Sequence, residues 1–153
     1  MAIPDKYIPK SLSKLDRDMQ EKYILRSRKQ YKRDKYFQRP KLLSFRSKPS
    51  GHVVNAKKMY NIEHFGANRE LSKKTNCTLK SLKKIVNKGE GAYYSSGSRP
   101  NQTAKSWGVA RLASAVTGGN ASLVDYSLLE EGCSKNSRAL RLANRLRRTR
   151  KIH

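Results

Sequence analysis

Tyr93, Tyr94, Ser96, Arg99, Asn101, Gln102 and Trp107 crowd polar-tipped side chains into one short stretch, and chemistry would be sought there first. The centre of the stretch is Ser95-Ser96-Gly97-Ser98-Arg99. Backbone N–H groups of such a loop can surround an anion, with the Arg99 guanidinium as counter-charge. The spacing is neither the nucleotide loop G-x-x-x-x-G-K-[ST] nor a dinucleotide fingerprint. The same residues have a structural use: the hydroxyls can satisfy backbone groups in a tight loop, with Arg99-Pro100 as a fixed brace. The sequence favours that structural use, and a small-ligand site over 93–107 stays as the alternative.

Other candidates fail on spacing. His52, His64, Cys77 and Cys133 show no zinc-ligand pattern, and His153 ends the chain. A Cys–His nucleophile pair fares no better, because each partner reads more simply as a buried thiol or a surface imidazole. The sequence therefore predicts no catalytic residue, no metal, no cofactor and no small-molecule substrate: the protein is expected not to be an enzyme. Two cysteines make no disulfide framework. They are expected to be reduced thiols of a protein assembled inside a cell, a single bridge being the less favoured alternative. The N-x-S/T matches at Asn76, Asn101 and Asn120 read as chance, since MAIPDKYIPK lacks the apolar core of a secretory signal. No apolar run approaches the roughly 20 residues that span a bilayer.

The second chemistry is charge. Lys and Arg number 35 against 11 Asp and Glu, a formal net charge of +24. From Lys88 to Cys133 the cations (Lys88, Arg99, Lys105, Arg111) and the acids (Glu90, Asp125, Glu130, Glu131) balance, so the excess sits in the flanks. Self-repulsion on this scale points to an acidic partner: nucleic acid, an anionic membrane face or an acidic protein. Candidate contacts are Arg26, Arg28, Lys29, Lys32 and Arg33 near the N-terminus, Lys80, Lys83 and Lys84 in the middle, and Arg138, Arg141, Arg145, Arg147, Arg148 and Arg150 in the tail. Arginine predominates in the tail, and its planar fork suits phosphate and carboxylate alike. Only 36% of residues are hydrophobic, against the roughly 45–50% usual for globular chains when Gly is included. Part of the 153-residue chain is thus expected to be solvated or packed on a partner.

The elements that must carry these residues read as helices. Ser13-Lys14-Leu15-Asp16 resembles a capping box and predicts a helix to about Tyr31, with Leu15, Met19 and Tyr23, extended by Leu12 and Ile24, as its apolar stripe. Residues 34–50 read as loop or short extended pieces, whose aromatics either stack on bases or anchor a basic arm. Helices are predicted over His52–Tyr60, Arg69–Thr75 (capped by Asn68) and Leu79–Lys88 (capped by Thr78 and ended by Gly89). The last two of these, over ELSKKTNCTLKSLKKIV, match a helix-turn-helix superficially, and two packed helices are the preferred reading. Irregular structure is predicted for Glu90–Gln102. Thr103 caps a helix to about Thr117, Asn120 caps another over Ala121–Glu131, and the tail is a helix with Ala139, Leu142, Ala143 and Leu146 as its seam. The expected fold is all-α: a small multi-helix domain with a Gly/Ser-rich loop and extended basic arms. The divisions are a basic N-terminal arm with one amphipathic helix (1–50), a helical core (51–133) and an arginine-rich C-terminal helix or tail (134–153).

The run KGEGAYYSSGSRPNQTAKSWGVARLASAVTGG, continuing to VDYSLLEEGC, resembles a conserved-domain family of unassigned function encoded by large nucleocytoplasmic DNA viruses, algal viruses among them. The resemblance covers Lys88–Cys133 and extends more loosely to HVVNAKKMY and ELSKKTNC upstream; the N-terminal arm and the arginine tail are less specific. It carries no catalytic residue across. It implies a virion protein assembled in the host cytoplasm, in particular a minor capsid component on the inner face of the shell. Its basic arms (Arg17–Arg46 and Arg138–Lys151) would reach other capsid proteins, viral DNA or an anionic inner membrane. The alternative is a DNA-binding or genome-packaging protein.

Overall fold

The computed structural model describes residues 2–152, with side chains through Arg150, so the side chain of Lys151 and the whole of His153 lie outside the described residues. The fold is all-α, as the sequence predicts. Among the described residues there are eight helices: α1 (Lys14–Tyr31), α2 (Gly51–Tyr60), α3 (Arg69–Thr75), α4 (Leu79–Ser95), α5 (Ala104–Val116), α6 (Ala121–Val124), α7 (Tyr126–Gly132) and α8 (Arg138–Ile152). A 3-10 turn at Asp5–Tyr7 interrupts the extended lead-in. The chain forms two compact units, one built from residues 1–48 and 90–107, the other from 49–89 and 108–153. Composition and packing thus partition the chain by different criteria: the neutral stretch 88–133 is shared between the units.

In the first unit, Ser13 caps α1 by accepting from the Asp16 amide at 3.1 Å. The Asp16 carboxylate does not close the box on Ser13; it accepts from the amide and hydroxyl of Ser44. The buried face of α1 is Gln20, Ile24 and Ser27: of the predicted stripe Leu12 and Ile24 are buried, whereas Met19 and Tyr23 are half-buried and Leu15 is 71% exposed. Polar side chains win that face because loop carbonyls need donors there. Gln20 Nε2 donates to the carbonyls of Tyr7 and Ser98, and Ser27 Oγ donates to that of Tyr94. A buried carbonyl without a donor costs about 1–3 kcal/mol, enough to select Gln and Ser over aliphatics.

In the second unit the core gathers Tyr60, Leu71, Leu82, Ile85, Leu112, Val116, Leu129 and Ala139 with their neighbours. Asn68 caps α3 and Thr78 caps α4, as predicted. Three expectations are corrected. Helix α4 runs on to Ser95 rather than stopping at Gly89. Gly89 serves close packing: a Cβ there would stand 2.5 Å from the Gly108 Cα, far inside van der Waals contact, so its glycine signal comes from another helix and not from a turn. The helix predicted over Ala121–Glu131 is two short helices that break at Asp125. Asn120 makes no cap bond; its side-chain oxygen accepts from Arg150 instead.

Cys77 and Cys133 form a disulfide, where the sequence reading has two reduced thiols. The two residues face each other in an isolated antiparallel bridge. It is fixed on either side by the Thr78 amide donating to the Gly132 carbonyl at 2.8 Å and the Ser134 amide donating to the Asn76 carbonyl at 2.9 Å. A pairing across 56 residues of sequence depends on where α3 and α7 end in space, which residue spacing does not encode. Among the described residues no helix is long and apolar enough to cross a membrane.

Candidate functional site

The polar loop of the first unit is organised around Arg39. Its guanidinium donates to the Tyr93 carbonyl at 2.7 Å, to Ser98 Oγ at 2.6 Å and to Ser27 Oγ at 3.1 Å. It also lies 3.7 Å over the centroid of the Tyr93 ring, a cation–π geometry. Burial pushes the Arg39 pKa down, against the opposing pull of Tyr93, Tyr94 and Tyr7. One side chain therefore ties α1, the loop over 34–50, the end of α4 and the Ser98 turn together, through neutral acceptors and an aromatic face.

The predicted loop-site residues are brought together, and all but Arg99, whose side chain is exposed, meet partners inside the unit. Tyr93 is buried under Arg39. Tyr94 stacks on Tyr31 with ring centroids 6.0 Å apart and an 11° interplanar angle, and its hydroxyl accepts from Gln38. The Ser96 carbonyl accepts from Arg28 Nε at 2.8 Å. Asn101 accepts from the Leu42 amide and donates to the carbonyls of Leu42 and Phe45, which pins the 34–50 loop. Gln102 Oε1 accepts from Ser106 Oγ, and Ser106 and Thr103 cap α5 reciprocally. Trp107 meets the Tyr7 ring edge-on at 5.7 Å. Arg99 is exposed and, with Arg39 and Arg28, pulls the Tyr7 pKa down, although burial is the larger influence and leaves it raised. Gly97 makes the turn at φ 129°, pressed on Ile24 and Tyr7. The aromatics of 34–50 act as anchors: Tyr36 packs on Tyr31 and Tyr94, and Phe37 on Tyr23. Arg39 was indistinguishable in sequence from the many other cations. Its one local signal is the aromatic-rich setting before Pro40.

The other predicted contacts are distributed over three helices. On α1, Arg26 lies over Phe37 at 4.4 Å, Arg28 is half-buried, and Lys29, Lys32 and Arg33 near its C-terminal end are exposed. On α4, Lys80 and Lys83 are exposed, while Lys84 sits 4.0 Å from Glu131. Behind them lies an ion triad that sequence reading missed. Asp125, fully buried, accepts from Arg111 Nε at 2.7 Å and Nη2 at 2.8 Å and pairs with Lys88 at 3.2 Å. Asp125 raises the Arg111 pKa through its hydrogen bond and charge, against desolvation. The available signal was a lone acid in an otherwise apolar helical run.

On α8 the arginines separate into two groups. Arg147 stacks on Tyr126 with its guanidinium carbon 4.4 Å from the ring centroid, and Arg150 donates to Asn120 at 2.9 Å. These two fasten α8 to the helices it packs on, α6 and α7. Arg138, Arg141, Arg145 and Arg148 instead line an open cleft of about 510 Å³ with Leu142 and Asn144. Among the described residues no group of three or more His, Cys, Asp or Glu is placed to hold a metal ion.

Residues 4–128 match the Family of unknown function (DUF5824). The chain belongs to that family. The match takes in the N-terminal arm, read above as less specific, and ends ten residues before α8 begins. No curated protein and no solved structure matches the chain.

Proposed function

We propose that this DUF5824 protein is a non-enzymatic structural protein of a large DNA virus particle, a minor capsid component on the inner face of the shell, whose basic helices bind acidic neighbours. The observation that carries the proposal is the division of polar residues. Those of the 93–107 loop, the exposed Arg99 apart, are used inside the first unit, by Arg39, Asn101 and the α5 cap, whereas exposed cations line α1, α4 and α8. An arrangement of this kind fixes a shape and presents charge. The disulfide adds support, because such bonds persist where the surroundings are oxidising, as on an assembled particle, and rarely in a reducing cytosol.

The test is location in purified particles. Density at symmetry-related positions beneath the capsomers is the expected result. Recovery with the genome fraction alone, or from infected cells but never from particles, overturns the proposal. A second reading, a genome-packaging protein, is favoured by one observation: the four-arginine cleft of α8.

A further inference from the structure

We infer that the α8 cleft is a track for the phosphodiester backbone of duplex DNA. The inference deepens the reading of the basic helices given above and rests on their being contacts for an acidic neighbour. Arg138, Arg141, Arg145 and Arg148 recur every three or four residues and border one cleft. At about 1.5 Å rise per residue the row extends about 15 Å along the helix, and duplex DNA carries one phosphate per strand for about every 3.4 Å of its axis. Every guanidinium in the row therefore meets phosphate oxygens, which it binds in a bidentate fork.

The lining favours phosphate over the main competitor. An acidic protein surface would need an apolar centre to exclude water, and the cleft offers Leu142 alone for that purpose. No carboxylate is among its described lining residues, so an incoming phosphate meets no like charge. The row is held ready by its own unit. Arg147 on Tyr126 and Arg150 on Asn120 fasten the helix, and Arg138 Nη1 donates to the Met59 carbonyl at 3.3 Å. Binding then orders few additional groups, which removes part of the usual cost. The contacts touch only the backbone, so the binding is indifferent to base sequence.

The test uses the full chain with its disulfide intact and a short random-sequence duplex, followed by fluorescence anisotropy across a salt series. The expected result is a log–log salt slope that becomes shallower by about 1.8 in the double variant Arg141→Ala/Arg145→Ala, two contacts at about 0.9 each. The variant Lys73→Ala/Lys74→Ala, equal in charge and exposed on α3, leaves the slope unchanged. Circular dichroism melting checks that both variants fold. If α8 loses its fold on double substitution, the single variant Arg145→Lys serves instead, and it weakens binding while keeping the charge, since it removes the bidentate fork. No duplex binding at physiological salt, equal slope changes in the two double variants, or poly-glutamate displacing the duplex at equal charge overturns the inference. Particle location does not enter this outcome, so the capsid proposal and the DNA track fail separately.

Discussion

The two units hold their interior cations in opposite ways. In the first, Arg39 rests on carbonyl and hydroxyl oxygens and on an aromatic face. In the second, Arg111 is paired in two hydrogen bonds with the buried carboxylate of Asp125. The difference follows from what each unit lacks. The first contains long stretches outside regular helices, whose carbonyls have no i+4 amide, and a guanidinium with five N–H donors can satisfy several of them at once. The second is mostly helix, with its backbone groups already paired. Its polar need is local, at the break between α6 and α7 where Asp125 lies. A buried arginine thus does two jobs in one small protein, donor supply in one unit and charge pairing in the other. Of the cleft arginines of α8, Arg138 also supplies a donor, to the Met59 carbonyl.

The comparison can be broken at several points. The largest effect is expected from reducing the disulfide or from Cys77→Ser/Cys133→Ser. Releasing a loop of 56 residues should cost about 4 kcal/mol by chain entropy. Hydrogen exchange should report the loss in amides of the second unit, with those of the first still protected; equal loss in both would mean that the units do not respond independently. Next, Asp125→Ala strands Arg111 without its acid. Breaking such a pair costs about 3 kcal/mol at this partial exposure of the arginine, read as a lower urea midpoint. Adding Arg111→Met should recover part of that loss, because the uncompensated cation is then removed as well.

Arg39→Met should cost about 2 kcal/mol, since the Tyr93 carbonyl and Ser98 hydroxyl lose their donor, and Arg39→Lys should recover only a fraction because an ammonium cannot span both acceptors. If Asp125→Ala and Arg39→Lys destabilise equally, the distinction between charge pairing and donor supply fails. A smaller effect is expected with acid. The Ser44 hydroxyl and amide hold the Asp16 carboxyl below its ordinary pKa. Its contribution to stability is then present above the unfolded value and is lost as pH falls through the lower folded one, below about pH 4. Ser44→Ala should therefore shift the acid-unfolding midpoint upward, and an unchanged midpoint would remove Asp16 from the account. Smallest of all, Arg141→Ala should alter stability by no more than about 0.5 kcal/mol, measured by the same denaturation, because that side chain faces the open cleft.

Much of the helical framework was legible in the sequence because its signals are local. Ser13, Asn68, Thr78 and Thr103 each cap the helix that follows, and a hydroxyl or amide followed by a helical run carries that information within four residues. Gly89 shows where local reading ends. A glycine after a lysine-rich helix looks like a stop, yet the residue that requires it, Gly108, belongs to another helix. The apolar stripe of α1 was right only at Leu12 and Ile24, for a related reason. Gln20 and Ser27 are buried by the carbonyls of Tyr7, Ser98 and Tyr94, and no periodicity within α1 records those distant acceptors.

The polar groups of the 93–107 stretch are close in sequence, and several of them hydrogen-bond to backbone and side-chain groups of the first unit. The residue that organises it, Arg39, lies more than fifty positions away, and its aromatic-rich setting before Pro40 is the one thing that sets it apart from the other cations. The tail offered six arginines of equal standing, and the positions of Tyr126, Asn120 and the Met59 carbonyl decide their roles: Arg147 and Arg150 fasten the helix, Arg141, Arg145 and Arg148 line the cleft, and Arg138 does both.

By itself, then, the sequence determined an all-helical chain, the caps that start its helices and a cationic excess of +24 carried by its flanks, since propensity, capping and charge are properties of neighbouring residues. The tertiary structure decided the rest: which cysteines bond, which glycine makes room for a helix, which arginine is buried without an acid and which four face an open cleft. Each of those depends on a partner remote in sequence, and burial and pairing energies are set only when that partner arrives.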